Sequence, residues 1–172
     1  ALAVELEKRY GKPFHVVRNT PVLQTSNLST DLPFEWPSKP VIIYQGALNA
    51  GRELELLIDA MNELQECHCL LIGEGDLSNA LRQQAAGMNN VQFAGLLSPD
   101  TLKAITPKCF AGYNLLDAQG SLSYYFSLSN KYFDYIHAGI PSIKSSLVPE
   151  ISVFSRIILL NNGSDALFFL LK

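Results

Sequence analysis

From Pro40 onwards, short apolar runs of strand length alternate with segments whose apolar residues recur every three or four positions. Continuous apolar runs of this length are typical of strands that are buried on both faces, and the intervening helices supply right-handed crossovers. The alternation therefore predicts an α/β fold, a doubly wound, Rossmann-like parallel sheet. The expected strands are residues 41–46, 67–73, 91–95, 110–116 and 141–145.

The segments between these runs carry helix signals. Helices are expected at about residues 52–64, 76–86, 98–105 and 129–138. Ser98 can cap the third of them, with Pro99 in the first helical position. The first has a single apolar stripe, which predicts a buried face formed by Leu54, Leu57, Ile58, Met61 and Leu64.

The composition separates the chain from several other classes of protein. Hydrophobic residues make up 48% of its 172 residues, so it can bury a core and is not a disordered segment. Only 17% of the residues are charged, which suggests that a partner domain covers part of the surface. The formal net charge of -3, without any basic run, argues against nucleic acid as a partner.

Residues 1–40 differ in pattern from the rest. They begin without Met inside an amphipathic helical pattern, and four prolines then follow between residues 18 and 40. We expect residues 1–40 to be a helix, a short strand and a linker from an inter-domain region, and residues 41–172 to be the Rossmann-like domain. The chain also stops abruptly after an apolar run, so we expect it to be a fragment of a longer protein.

The three cysteines indicate a reducing compartment, because an odd and small number does not make a disulfide framework. Cys67, His68 and Cys69 could be considered a metal triplet, but strand alternation places His68 opposite both thiols, so we expect no metal site. No apolar run approaches the roughly 20 residues that span a bilayer, and no signal peptide is present. We expect a cytoplasmic location.

Known nucleotide-binding fingerprints are incomplete in this chain. Gly73-Glu74-Gly75 follows a strand, but Ser78 occupies the third glycine position of the dinucleotide pattern, and a phosphate loop ending in Gly-Lys-Ser/Thr is absent. These facts argue against NAD and ATP. The glycines of this loop either lie near a ligand or form a tight turn before the next helix.

The loop QGALNAGR follows the first strand and contains Gly46, Asn49, Gly51 and Arg52. In parallel sheets, ligands bind at the carboxyl ends of the strands, where glycines let the backbone approach closely. The Arg52 guanidinium offers a permanent cation with a fork of donors suited to phosphate. The alternative is a solvated arginine that pairs with a neighbouring glutamate.

The segment SLSNKYFDYIHAGIP at 127–141 is the most informative one. Ser129 and Asn130 are good capping residues, so the amino end of this helix predicts an anion site. Lys131 opposes the helix dipole in the first turn, unless a negative ligand compensates, and Asp134 can accept hydrogen bonds from ligand hydroxyls. An intrahelical Lys131–Asp134 pair is the alternative. The expected buried face consists of Tyr132, Phe133 and Ile136.

The order of these motifs resembles the C-terminal, donor-binding half of GT-B glycosyltransferases, specifically the retaining family four (group one) enzymes. The resemblance covers nearly the whole chain. It implies a domain that holds a nucleoside diphosphate sugar (UDP, GDP or ADP type) as substrate, without cofactor or metal, against an N-terminal domain that brings the acceptor. The matching blocks are residues 16–21, 44–61, 70–77, 90–95 and 127–150.

By resemblance, Arg52 and Lys131 neutralise the diphosphate leaving group, and the amides around Asn130 bind phosphate oxygens. Asp134 matches the second acid of the family's acid pair, which holds ribose hydroxyls, although it is Asp rather than Glu and Phe126 replaces the first acid. The expected donor-binding residues are Gly46, Asn49, Gly73, Gly75, Ser129, Asn130 and Asp134.

Two alternatives to a glycosyltransferase remain open at this point. A GT-B sugar-nucleotide epimerase would share the phosphate site. A non-enzymatic regulatory module of the receiver type needs aspartates at early strand ends, whereas the first strand ends in Tyr44-Gln45-Gly46. The acceptor-activating group is expected in the missing half, and peripheral membrane association of the full-length enzyme stays open.

Overall fold

A computed structural model describes residues 2–17, 32–116, 129–145 and 157–160. Within these ranges six strands, all parallel, form one sheet in the order β3-β2-β1-β4-β5-β6. The order reverses between β1 and β4, and in such sheets the crevice at this switch point binds ligands. The strands are β1 Val41–Gln45, β2 His68–Ile72, β3 Val91–Gly95, β4 Ala111–Tyr113, β5 Ser142–Ser145 and β6 Ile157–Leu160.

Helices cover both faces of this sheet. One apolar cluster joins the sheet to α2 and α3, and a second joins it to α4 and α5. The doubly wound, Rossmann-like α/β fold predicted from the sequence is therefore confirmed. The helices are α1 Leu2–Tyr10, α2 Leu54–Glu63, α3 Ser78–Gln84, α4 Pro99–Ile105 with a following 3₁₀ turn at Thr106–Lys108, and α5 Asn130–His137.

Local signals placed most of these elements correctly. All five residues of β1 are buried, as a strand with helices on both faces requires. The Ser98 Oγ accepts a hydrogen bond from the Thr101 backbone N–H at 3.1 Å, so the predicted cap of α4 is present. The predicted stripe of α2 is at most 2% exposed at each of its positions, which are Leu54, Leu57, Ile58, Met61 and Leu64.

Three features differ from the expectation. Helix α2 begins at Leu54 rather than Arg52, because Glu53 adopts a left-handed conformation with φ 52°. Strand β4 ends at Tyr113, earlier than expected. Strand β6 and the 3₁₀ turn lie outside the elements predicted from the sequence.

The predicted buried face of α5 is correct at Tyr132 and wrong at Phe133 and Ile136. Tyr135, rather than Phe133 and Ile136, is the fully buried side chain beside Tyr132. Its ring lies against Gly112 of β4, where a β-carbon would overlap it. The Tyr135 hydroxyl lies 3.3 Å from the carbonyl oxygen of Ile43 in β1 and 3.2 Å from that of Tyr113 in β4. Tyr135 therefore fastens α5 across the switch point.

The side chains of the Cys67-His68-Cys69 segment show the alternation expected of a strand. Both thiols are buried in the same apolar cluster, whereas His68 is only half-buried. Among the described residues, no group of three or more His, Cys, Asp or Glu side chains is placed to hold a metal ion. None of the described helices is both long enough and apolar enough to cross a membrane.

Candidate functional site

Two loops leave the same edge of the sheet and pack directly on each other. Strands β1 and β2 run in register up to Gln45 and Ile72, so the loops that follow them start side by side. The Gly46 N–H donates to the Ile72 carbonyl at 2.8 Å, and the Leu77 N–H donates to the Leu48 carbonyl at 2.9 Å. Leu48 is fully buried between them. The carboxyl edge of the sheet is therefore a fixed platform.

Glycines make this close packing of the loops possible. Gly73 has a φ of 129°, and a β-carbon there would overlap the carbonyl oxygen of Gly46. A β-carbon on Gly75 would overlap the Asn49 Oδ1, which accepts a hydrogen bond from the Asp76 N–H at 3.0 Å. The structure thus supports the tight-turn interpretation of this loop. Contact of Asn49, Gly73 and Gly75 with a donor remains a prediction.

Helix α5 begins at the carboxyl edge on the other side of the switch point. Ser129 occupies the N-cap position, as expected, but its hydroxyl does not cap the helix. The Ser129 Oγ instead donates to the Asn114 Oδ1 at 3.0 Å, directly after β4. Asn130 is exposed in the first turn. The positive end of the helix dipole therefore lies beside the ends of β1 and β4.

Lys131 reaches from α5 across to the β1–α2 loop. Its Nζ lies 5.0 Å from the centroid of the Tyr44 ring. The same Nζ is 3.2 Å from the point where a β-carbon on Gly46 would stand. The absence of a side chain at Gly46 thus leaves room for the ammonium group, and two residues predicted from separate motifs meet here.

Arg52 and Lys131 act on each other electrostatically. Burial and, to a smaller extent, the positive charge of Arg52 lower the pKa of Lys131 to about 8, whereas the Asp134 carboxylate opposes the shift. A cation of the β1–α2 loop and a cation of α5 thus influence each other at this side of the switch point. Their mutual repulsion favours an anion between or beside them.

Asp134 bonds to Gln45 and not to Lys131, its partner in the alternative of an intrahelical ion pair. Its Oδ2 accepts a hydrogen bond from the Gln45 Nε2 at 3.1 Å, and the Gln45 Oε1 accepts one from the Thr106 Oγ1 at 3.2 Å. Burial raises the pKa of Asp134, while the Gln45 hydrogen bond and nearby cations lower it. The ion pairs within the described ranges join Glu74 to Arg82 and Asp100 to Lys103, so Lys131 and Asp134 do not form one.

Sequence reasoning missed Tyr44 and Gln45 as part of this site. From the sequence alone, these two residues show only that the first strand does not end in an aspartate. A signal was nevertheless present, because Gln45 is a polar residue at the end of an otherwise apolar strand. A buried amide needs hydrogen-bond partners, and here they are Asp134 and Thr106.

Comparison with known proteins finds solved structures with the same kind of fold as this chain. No protein-family model matches the sequence. The chain is 36% identical to the sulfoquinovosyl transferase SQD2 of Arabidopsis thaliana over 66 residues, which is 38% of this chain and 13% of that protein. Anabaena HepE, solved in complex with UDP and glucose, superposes with a TM-score of 0.58 and 17% identity over 75% of this chain and 36% of HepE.

A variant of S. aureus TarM, solved with fondaparinux, α-GlcNAc-glycerol and UDP, superposes with a TM-score of 0.67 and 11% identity. The superposition covers 98% of this chain and 34% of TarM. The chain therefore spans about a third of the length of these two solved proteins and a smaller part of SQD2. These superpositions agree with the predicted Rossmann-like α/β fold, which this chain shares with part of each of the two solved proteins.

Proposed function

We propose that this chain is the donor-binding part of a glycosyltransferase and that it holds a nucleoside diphosphate sugar at the switch point between β1 and β4. The observation that carries the proposal is the convergence of Arg52, Lys131 and the amino end of α5 at the crevice where doubly wound sheets bind ligands. Helix amino termini and fixed cations together favour a multiply charged anion.

The same groups suit the chemistry of glycosyl transfer. When the bond between the anomeric carbon and the diphosphate oxygen breaks, its electron pair stays on that oxygen and negative charge builds up on the leaving group. Lys131 and Arg52 would stabilise that charge more in the transition state than in the bound donor. Retention of configuration and independence of metal are part of the proposal by family resemblance.

Asp134 is the residue we assign to the ribose of the donor. Its carboxylate is half-buried and held by Gln45 through one oxygen, Oδ2, while Oδ1 remains to accept a hydrogen bond from a hydroxyl group. Gly46 supports the diphosphate assignment, because its lack of a side chain keeps the loop close to the Lys131 ammonium. Ser129, Asn130, Asn49, Gly73 and Gly75 complete the proposed donor site.

The relatives guide the remaining assignments. The UDP in the HepE and TarM structures makes a uridine nucleotide the first probe for this chain, and SQD2 is itself a sugar transferase by name. We assign residues 1–40 to the inter-domain region and the acceptor site to an N-terminal domain of the full-length protein. The three free, buried cysteines fit a reducing compartment such as the cytoplasm. The comparisons favour neither the epimerase nor the regulatory module.

Lys131→Met is expected to weaken UDP binding to the 172-residue chain by about tenfold, since it removes one cation from the diphosphate. Isothermal titration calorimetry near pH 7 measures the change. The matched control is Lys108→Met, which removes the same charge from an exposed residue before β4, at the opposite edge of the sheet. Equal affinities for the protein and Lys131→Met, or no binding of UDP, GDP or ADP at millimolar concentration, would refute the proposed function.

Asp134→Asn is expected to weaken UDP binding by about fivefold and to leave pyrophosphate binding nearly unchanged. Asparagine retains the size of the side chain and a carbonyl oxygen for Gln45, but it loses the negative charge that strengthens a hydrogen bond from a ribose hydroxyl. Parallel titrations with UDP and pyrophosphate separate the two parts of the ligand. Equal losses for both ligands would contradict the assignment of Asp134 to the ribose.

A further inference from the structure

The aromatic ring under the Lys131 ammonium belongs to Tyr44, the penultimate residue of β1. Tyr44 is fully buried, and its hydroxyl donates to the Ala47 carbonyl at 2.7 Å. The buried surroundings hold the ring, and the bond also connects it to the first turn of the β1–α2 loop. The Lys131 Nζ lies 5.0 Å from the centroid of this ring.

A cation over the face of an aromatic ring is attracted by the ring's quadrupole, and the attraction grows when both groups are shielded from water. Lys131 has lost much of its hydration and faces a second cation, Arg52. A flexible ammonium group in that situation tends to swing away towards solvent. The Tyr44 ring counteracts this tendency and keeps the Nζ above Gly46.

We propose that Tyr44 is a positioning residue for Lys131, whose aromatic face holds the ammonium over the β1–α2 loop at the place where the donor diphosphate binds. The proposal rests on the proposed function of this site and adds to it a residue that touches no ligand. It predicts that the aromatic ring matters and that the hydroxyl group matters less.

Tyr44→Phe retains the ring, and UDP affinity is expected to stay within about twofold of that of the unchanged protein. Tyr44→Leu removes the ring, and the affinity is expected to fall by about fivefold. Both variants are also made in the Lys131→Met background. Because Tyr44 acts through Lys131, Tyr44→Leu should cause no further loss of affinity there. A purely structural role would cost the same in both backgrounds, and that result would overturn the proposal.

A second series does not depend on how Tyr44→Leu folds. Phenylalanine and its mono- and trifluorinated analogues are incorporated at position 44, which changes the ring's electrostatics while nearly preserving its shape. UDP affinity should fall stepwise with fluorination, and a flat series would overturn the proposal. If Lys131→Met alone does not weaken UDP binding, the proposed function itself fails. If it does weaken binding while the fluorinated series stays flat, only the positioning role of Tyr44 fails.

Discussion

Gly73→Ala is expected to destabilise the protein by about 3 kcal/mol or more, the largest effect of any single methyl group that we anticipate at the site. The new β-carbon would overlap the carbonyl oxygen of Gly46, which belongs to a backbone that cannot rotate away as a side chain can. The φ of 129° at Gly73 adds conformational strain for any other residue. Urea unfolding followed by the fluorescence of Trp36, which packs on the core, measures the loss.

Gly87→Ala is the matched control for this substitution. Gly87 also has a positive φ, 85°, but no atom lies within 4 Å of the position of its β-carbon. It should therefore lose only about 1 kcal/mol, the cost of the backbone conformation. If the two variants lose the same stability, the β1–α2 loop yields to the methyl group, and the platform under the candidate site is not fixed.

The parts of the fold that the sequence predicted are those in which local pattern and burial coincide. The stripe of α2 and the run of β1 are apolar because helices or strands pack on them along their whole length. Ser98 with Pro99 marks the start of α4, since a cap acts through atoms only three residues away. Such signals need no knowledge of distant residues.

The features that the sequence could not predict depend on contacts between residues that are distant along the chain. The buried face of α5 depends on Gly112, because the missing side chain in β4 leaves room for the Tyr135 ring in preference to Phe133. Nothing within α5 reveals that space. Similarly, Arg52 stays outside α2 because Glu53 takes a left-handed conformation, which favours glycine or asparagine in ordinary sequences.

In the candidate site too, some features could be predicted from the sequence and others could not. The meeting of Lys131 with the Gly46 loop followed from topology alone, because parallel strands deliver their following loops to one edge. The partners of Lys131 and Asp134 did not follow from topology. Tyr44 and Gln45 are adjacent in β1 and point to opposite faces of the sheet. The sequence of a buried strand does not indicate which polar groups its side chains contact.

Relative to Lys131→Met, the protein is expected to gain about 2 kcal/mol of stability between about pH 7.5 and pH 9.5. Burial and the charge of Arg52 lower the pKa of Lys131 to about 8 in the folded state. An unfolded lysine keeps its proton up to about pH 10.4. Between these values the unfolded chain binds more protons, so the free energy of unfolding rises with pH.

The measurement compares the free energy of unfolding of the protein with that of Lys131→Met, because other groups change the stability in the opposite direction as the pH rises. Burial raises the pKa of Cys67, Cys69 and Cys109, so the unfolded chain loses these protons first and stability falls at alkaline pH. Both proteins share that loss, and it cancels in the comparison of their urea unfolding curves. A difference that stays constant over this pH range would show that Lys131 has an ordinary pKa.

In saturating UDP, the difference in free energy of unfolding between the protein and Lys131→Met should become nearly independent of pH. A diphosphate beside the ammonium restores a negative partner and raises the pKa of Lys131 towards its unfolded value, which removes the pH dependence of that group. Binding near pH 8 must then take up a fraction of a proton, and calorimetry in buffers of different ionisation enthalpy counts it. Lys131→Met should take up less. Equal proton uptake by both proteins would mean that the diphosphate binds elsewhere than beside Lys131.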